Sequence, residues 1–485
     1  MKLALQSKAP KADLLLLSFY KDEKLSKEYE KLLGTEKKNV EARFKAKDFE
    51  GDEGQSLTLY TEAGSYKRIV LMGRGEKNKQ VPQATEFLGA KMASAAKAAK
   101  AKTVVIPSHS EDLKALAAGF VLSNYEFMGY KKKDPKAVDI ETVHFVCDEN
   151  KTNQSVLELT TAFMNSSTMA RDLINTCAGD LNTQDLAQKA VQLSKKCKIK
   201  VTVFDDKKLK KMGLGGLYGM GKGAAVGSRL VLMEYRYKST SKEPNIAFVG
   251  KGIVYDTGGM NFKPSGYIED MKLDMTGAAT VMATLQALTE LKVPGYFLGV
   301  LCIAENALSD HALHSGDAVT MYNGKSVEVS NTDAEGRMVL ADGLAYTEKH
   351  YKPKKMVNIA TLTGAVTVAL GYHITGILGN NEAFIQEVLD AGKVTQERQW
   401  PLPLDEDFVK ACKGDFTDLK NSTDGVRAGT IMGAAFLKHF VEKTPWVHFD
   451  VAGSAWVEKP TPTTKYGATA ASLRTLIELA IQNRG

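Results

Sequence analysis

The stretch Asn245-Ile-Ala-Phe-Val-Gly-Lys-Gly-Ile-Val-Tyr-Asp-Thr-Gly-Gly259 sets an apolar run against charged residues embedded among glycines. Asn245 to Val249 has the composition of a buried strand, and Gly250, Gly252, Gly258 and Gly259 let the backbone turn closely around whatever Lys251 and Asp256 surround. Lys263-Pro-Ser265 follows, then Met271-Lys-Leu-Asp-Met-Thr-Gly-Ala-Ala279, where Asp274 just precedes a small-residue helix. Strand-to-helix junctions of this kind are where open α/β sheets place their ligands. An α/β fold with its site at strand ends is therefore expected.

A second cluster lies at Asn331-Thr-Asp-Ala-Glu-Gly-Arg337. If this segment is extended, Asp333, Glu335 and Arg337 share one face. Carboxylates so arranged suit a hard divalent cation, and the guanidinium could hold an anion beside it. An isolated Asp-x-Glu-x-Arg is more often a solvated Asx-turn, but the upstream cluster shifts the balance. Three aspartates, one glutamate and two lysines, with no histidine or cysteine among them, exclude a zinc finger. Four carboxylates could hold two cations roughly 3.5–4 Å apart. Lys251 then has two readings: a neutral amine ligand, or a salt-bridge partner that offsets the acids.

In this order the residues resemble the leucine aminopeptidases of the M17 type, dinuclear metallo-exopeptidases also called cytosol aminopeptidases, whose signature is the Asn331–Arg337 stretch. The likeness continues through Lys251 and Asp256, Lys263-Pro-Ser265, Asp274, Thr361-Leu-Thr-Gly-Ala365 and Trp446-Val-His-Phe-Asp-Val-Ala-Gly453, covering about residues 170 to 485. It implies removal of the N-terminal residue, with leucine and other apolar residues preferred, from peptides and aminoacyl amides. It implies two divalent ions per subunit, Zn2+ or Mn2+, with Mg2+ or Co2+ as alternatives. Lys251, Asp256, Asp274 and Glu335 would hold the tighter ion; Asp256, Asp333 and Glu335, with the Asp333 carbonyl assisting, would hold the more exchangeable one. A metal-bridging hydroxide would attack the first peptide carbonyl, Lys263 would steady the oxyanion, and Arg337 would hold a proton-shuttling bicarbonate. Lys263, Met271, Asp274, Thr361, Leu362 and Gly364 would bind substrate, with Met271 and Ala452-Gly-Ser-Ala455 near the first side-chain pocket. A cytoplasmic homohexamer is implied as well.

Departures from the family pattern fall outside this ligand set. Tyr255 and Thr257 stand where phenylalanine and serine are more usual, Ser315 replaces a proline, Asn358 an aspartate and Met338 a leucine. His311, His314 and His448 lack partners at ligand spacing and are expected to be structural.

At 485 residues and 44% hydrophobic content the chain exceeds what one core usually organises, so two domains are expected. Residues 1–152 alternate strands (Leu14–Phe19, Leu57–Thr61, Arg68–Gly73, Thr103–Ser108, Val143–Asp148) with helices (Ala84–Lys102, Asp112–Tyr125), predicting a smaller α/β domain. Residues 153–175 form a connecting helix. Residues 176–485 form the larger catalytic domain, with a central, mostly parallel sheet flanked by helices. Its strands are expected at Lys200–Phe204, Leu230–Tyr235, Asn245–Val249, Tyr296–Ala304, Val327–Ser330, Met356–Thr361 and Trp446–Val451.

No apolar run approaches the ~20 residues of a membrane span. Five cysteines without a C-x-x-C pair point to reduced thiols in a cytosol-like compartment. The net charge of +7 raises nucleic acid as a partner, yet Lys91, Lys97, Lys100 and Lys102 lie among alanines with no aromatic stacking group, as on a solvated helix face. DNA binding stays a secondary hypothesis. The glycine-dense Gly213–Gly227 run lacks phosphate-loop spacing and is expected to serve close packing. Two other classes compete: a non-enzymatic protein that kept the fold, and a dinuclear hydrolase of phosphate esters. Lys263 and Arg337 beside four carboxylates argue against a dead site.

Overall fold

The apolar runs around residues 14–17, 69–72 and 104–106 leave no polar face, so their strands must be covered on both sides. In the computed structural model, which describes residues 1–62, 64–81, 83–423 and 425–485, they lie in a six-stranded sheet. Its order is Lys2–Gln6, Thr142–Val146, Thr103–Pro107, Ala12–Phe19, Tyr66–Gly73, Ser56–Tyr60, parallel except at the last edge. The Lys2–Gln6 strand and the helices Lys27–Leu33 and Lys37–Lys45 were not expected from the sequence. The alanine-rich helix is shorter than expected, ending at Ala98, because Lys100 takes a left-handed φ of 50°. Lys91 is exposed on it, but Lys97 is half-buried and donates to the Asn124 carbonyl at 2.7 Å, so the lysines do not form one solvated face.

The chain divides into Met1–Met164 with Lys459–Lys465, and Asn165–Glu458 with Tyr466–Gly485. The second unit holds an eight-stranded sheet in the order Gln399–Pro401, Thr375–Gly379, Trp446–Asp450, Met356–Ala360, Ile246–Asp256, Gly295–Asn306, Arg229–Tyr237, Lys200–Phe204. The four middle strands are mutually parallel. Antiparallel pairings at Thr375–Gly379 and along Arg229–Tyr237 make the whole sheet mixed around this parallel centre. The expected Val327 strand lies outside it, as Ser326–Glu328 in a three-stranded sheet with Ala318–Thr320 and Leu419–Lys420.

Alternation along the Ile246–Asp256 strand distributes its coverings. Gly250 and Gly252 abut helix Thr276–Glu290, while Val249 and Lys251 abut helix Glu335–Tyr351, so the two helices lie on opposite faces. At Gly250 a Cβ would sit 2.6 Å from the Gly277 backbone, so a pair of glycines sets how closely helix and strand approach. Among the described residues no helix is long and apolar enough to cross a membrane. All five cysteines are free.

Candidate metal centre

Lys251 and Asp256 are five residues apart on one strand, and strict alternation would point them to opposite faces. A bulge corrects this. The register runs from Ile253 opposite Ala304 to Asp256 opposite Asn306, three residues against two, which returns Asp256 to the Lys251 face. Asp274 stands on the 3₁₀ segment Met271–Met275 that leads into helix Thr276–Glu290. Glu335 opens helix Glu335–Tyr351, where the positive helix end favours a carboxylate. Asp333 lies in the preceding turn, its N–H donating to Asn331 Oδ1 at 2.8 Å. The extended conformation considered for this motif is thus replaced by an Asx-turn and a helix start. Glu335 and Arg337, two residues apart on a helix, point roughly 200° apart; Glu335 meets Lys251, whereas Arg337 Nη1 donates to the Asn421 carbonyl at 2.7 Å.

The centre has two lobes. In one, Lys251 Nζ lies 2.8 Å from both Asp274 Oδ1 and Glu335 Oε1 and donates to the Thr361 carbonyl at 2.9 Å. In the other, Lys263 Nζ lies 2.9 Å from Asp256 Oδ2 and 2.7 Å from Asp333 Oδ1. Lys251, Asp256, Asp274 and Glu335 are buried; Lys263 and Asp333 are partly open. Thr361, also buried, donates its hydroxyl to Asp274 Oδ1 at 2.6 Å. Met271 and Leu362 are half-buried, and Gly364 is exposed at the start of helix Ala365–Leu370. His311 and His314 are exposed and lie beside Asp310 and Asp317, outside the ion pairs of this cluster, while His448 is buried in the sheet.

Four carboxylates against two ammonium groups leave a formal excess of negative charge in a buried space. Burial, together with crowding by Asp256, pushes Asp274, Asp333 and Glu335 above the usual carboxylate range. Burial also disfavours charge on Lys251 and Lys263, but the surrounding carboxylates outweigh it and raise both amines. In the metal-free chain both lysines are therefore ammonium ions. Asp274 Oδ2 and Glu335 Oε2 are buried without a hydrogen-bond partner, and oxygens of Asp256, Asp333 and Glu335 lie within 4.8 Å of one another. Orphaned oxygens in an acidic cluster fit divalent cations, which prefer hard oxygen donors.

Sequence reasoning missed Asn306. Its amide donates to Asp256 Oδ1 at 2.8 Å and to the Thr332 carbonyl at 3.0 Å, joining the two motifs. Gly258 N–H donates to the same Asp256 oxygen at 2.9 Å, so Oδ2 is the freer one. The only available signal was position, a polar residue just past the predicted Tyr296–Ala304 strand.

Fold and centre together define a metalloexopeptidase. Residues 168–477 match the catalytic domain of the cytosol aminopeptidase family and residues 16–134 its N-terminal domain. The chain belongs to that family, peptidase family M17. A probable cytosol aminopeptidase of Protochlamydia amoebophila is 36% identical, with 98% of this chain and 97% of the relative covered. One from Brucella melitensis is 39% identical, over 84% and 85%. Among solved structures, a mutant of tomato leucine aminopeptidase superposes with TM-score 0.87 at 27% identity, covering 99% of this chain and 96% of the other. The bottromycin maturation enzyme BotP in complex with Mn gives 0.84 at 28%, covering 97% and 99%.

Proposed function

We propose that this aminopeptidase is dinuclear, using two divalent ions to remove N-terminal leucine and other apolar residues from peptides and aminoacyl amides. The observation that carries the reading is the two-lobed cluster of four carboxylates and two lysines. Lys251, Asp256, Asp274 and Glu335 would hold the tighter ion, and Asp256, Asp333 and Glu335 the exchangeable one. Zn2+ and Mn2+ both suit these sites; a manganese complex of BotP supports the latter. When bound, such a pair lowers the pKa of water and polarises a carbonyl.

The chain's own groups supply the rest. To hold an ion, Lys251 Nζ would first have to release its proton to solvent, since an ammonium has no lone pair. Lys263, on the open side of the cluster, steadies negative charge on the substrate carbonyl oxygen. Arg337, fixed by Asn421 and with Nε unpaired, holds a small anion such as bicarbonate that relays the proton. Met271, Asp274, Thr361, Leu362 and Gly364 receive the substrate, with Ala452–Ala455 completing the side-chain pocket.

Hydrolysis of leucyl amide that depends on Mn2+ or Zn2+, is abolished by a chelator and returns on metal addition is the expected result. Metal-replete protein that leaves the amide intact would overturn the reading, and cleavage of a phosphate ester instead would favour the phosphatase alternative. Family kinship and free thiols support a cytoplasmic homohexamer, which light scattering tests.

A further inference from the structure

Asp450 ends the Trp446–Asp450 strand and is wholly buried, yet it takes no part in the ion pairs of the metal centre. Its Oδ1 accepts the N–H groups of Leu362 and Ala452, both at 3.2 Å, and of Thr363 at 3.4 Å. Its Oδ2 accepts the Thr363 hydroxyl at 2.6 Å. Three of these four donors are backbone N–H groups that can only donate, a setting that suits the acceptor-only carboxylate.

Two segments hang on this group. One is Thr361–Gly364, leaving the Met356–Ala360 strand; the other is the turn after Asp450 that begins at Ala452. Thr363 also reaches Thr430 Oγ1 at 3.1 Å, tying the first segment to helix Gly429–Lys438. Leu362 is held from behind as well: a Cβ at Gly433 would lie 2.9 Å from Leu362 Cδ2. Its backbone is fixed by Asp450 and its side chain by the close approach of that helix.

We infer that Asp450 is a positioning residue for substrate selectivity, setting the two walls of the first side-chain pocket relative to each other from behind. This rests on the assignment of Leu362, Gly364 and Ala452–Ala455 to that pocket. Asp450 makes no hydrogen bond to Lys251, Asp256, Asp274, Asp333 or Glu335; the Thr361–Leu362 peptide stands between, with its N–H on Asp450 and its carbonyl on Lys251, so the effect on side-chain discrimination is read with bound metal measured beside it.

The test is steady-state kinetics on the full-length, metal-loaded protein with leucyl and alanyl amides, alongside elemental analysis and thermal midpoints. Asp450→Asn keeps an oxygen for the three N–H groups and turns an NH2 toward the Thr363 hydroxyl, which can accept. Thr363→Val removes the Oδ2 bond together with the contact to Thr430 Oγ1, and covers the case in which Asp450→Asn fails to fold. Either variant should raise KM for the leucyl amide by about fivefold to tenfold, the scale of one weakened charge-assisted bond. Leucyl over alanyl preference should fall by a similar factor, with kcat and bound metal within about twofold of wild type. An unchanged preference in both variants, or loss of bound metal matching the loss of activity, would overturn the selectivity role alone. Failure of the metal-loaded wild type to cleave either amide would overturn the aminopeptidase reading with it.

Discussion

Lys251 and Lys263 are alike in chemistry and differ in what surrounds them. Lys251 is enclosed, with Asp274, Glu335 and the Thr361 carbonyl occupying its amine, whereas Lys263 reaches its two carboxylates from the open side. Lys251→Ala should cost one of two bound ions and abolish activity at any metal concentration; a variant retaining both ions and full turnover would remove the ligand assignment. Lys263→Ala should keep both ions while kcat falls about 10²–10³-fold, the range for losing one oxyanion donor, and an unchanged kcat would contradict that role. The unusual residues of this chain find local partners. Tyr255 donates to the Ile268 carbonyl at 2.9 Å, Thr257 to the Asn306 carbonyl at 2.8 Å, and Ser315 to Asn261 Oδ1 at 2.7 Å. Met338 is wholly buried in the core, as its volume-conserving exchange for leucine allows.

Elements bring these residues together through contacts in which glycine has no substitute. In the motif Asn331–Arg337, Gly336 lies against Lys251: a Cβ there would sit 2.5 Å from Lys251 Cε and 2.6 Å from its Nζ. Gly336→Ala should displace the amine from Asp274 and Glu335, so the expected outcome is loss of one bound ion with the thermal midpoint little changed; two ions at wild-type affinity would refute the contact. Gly277 is different, because its Cβ would meet the Ile359 carbonyl and lie 2.7 Å from the Lys251 nitrogen, and backbone gives way less readily than a side chain. Gly277→Ala should destabilise the fold by roughly 1–3 kcal/mol, read from denaturant unfolding. Both motifs were legible in sequence because their residues are contiguous. The bulge that turns Asp256 toward Lys251 was not, since it is a property of the pairing with a strand some 50 residues on. The strand Thr375–Gly379 was missed for a related reason: it is short, contains two glycines, and is specified by its neighbours more than by its own composition.

At the scale of the whole molecule, the α/β class and the segments that meet in the acidic cluster follow from local pattern, whereas Asn306 and Asp450 act across 50 and 88 residues and carry no local signature. His448 shows how such a distant pairing becomes a property of the entire fold. Asn358 Nδ2 lies 2.8 Å from His448 Nδ1, and Trp446 Nε1 donates to Asn358 Oδ1 at 2.8 Å, so the amide is oriented with its NH2 toward a neutral imidazole. Burial, with a smaller contribution from nearby Arg337, pushes the His448 pKa down to about 3 from 6.5. The unfolded chain therefore takes a proton that the folded chain refuses, and the stability present above pH 6.5 is lost as pH falls toward 3. Buried Asp342 acts in the opposite sense, because burial raises its carboxyl to about 7 and the folded chain binds that proton more tightly than the unfolded one. Comparing His448→Asn with wild type cancels Asp342 and every other group they share, while keeping an acceptor for Asn358. All three tryptophans lie between residues 400 and 456, so their fluorescence follows unfolding of the catalytic part alone. The stability of wild type relative to the variant should decline by about 1.4 kcal/mol for each pH unit below 6.5. Parallel stability curves down to pH 4 would mean that the imidazole is already charged in the fold, and that Asn358 meets it through its oxygen.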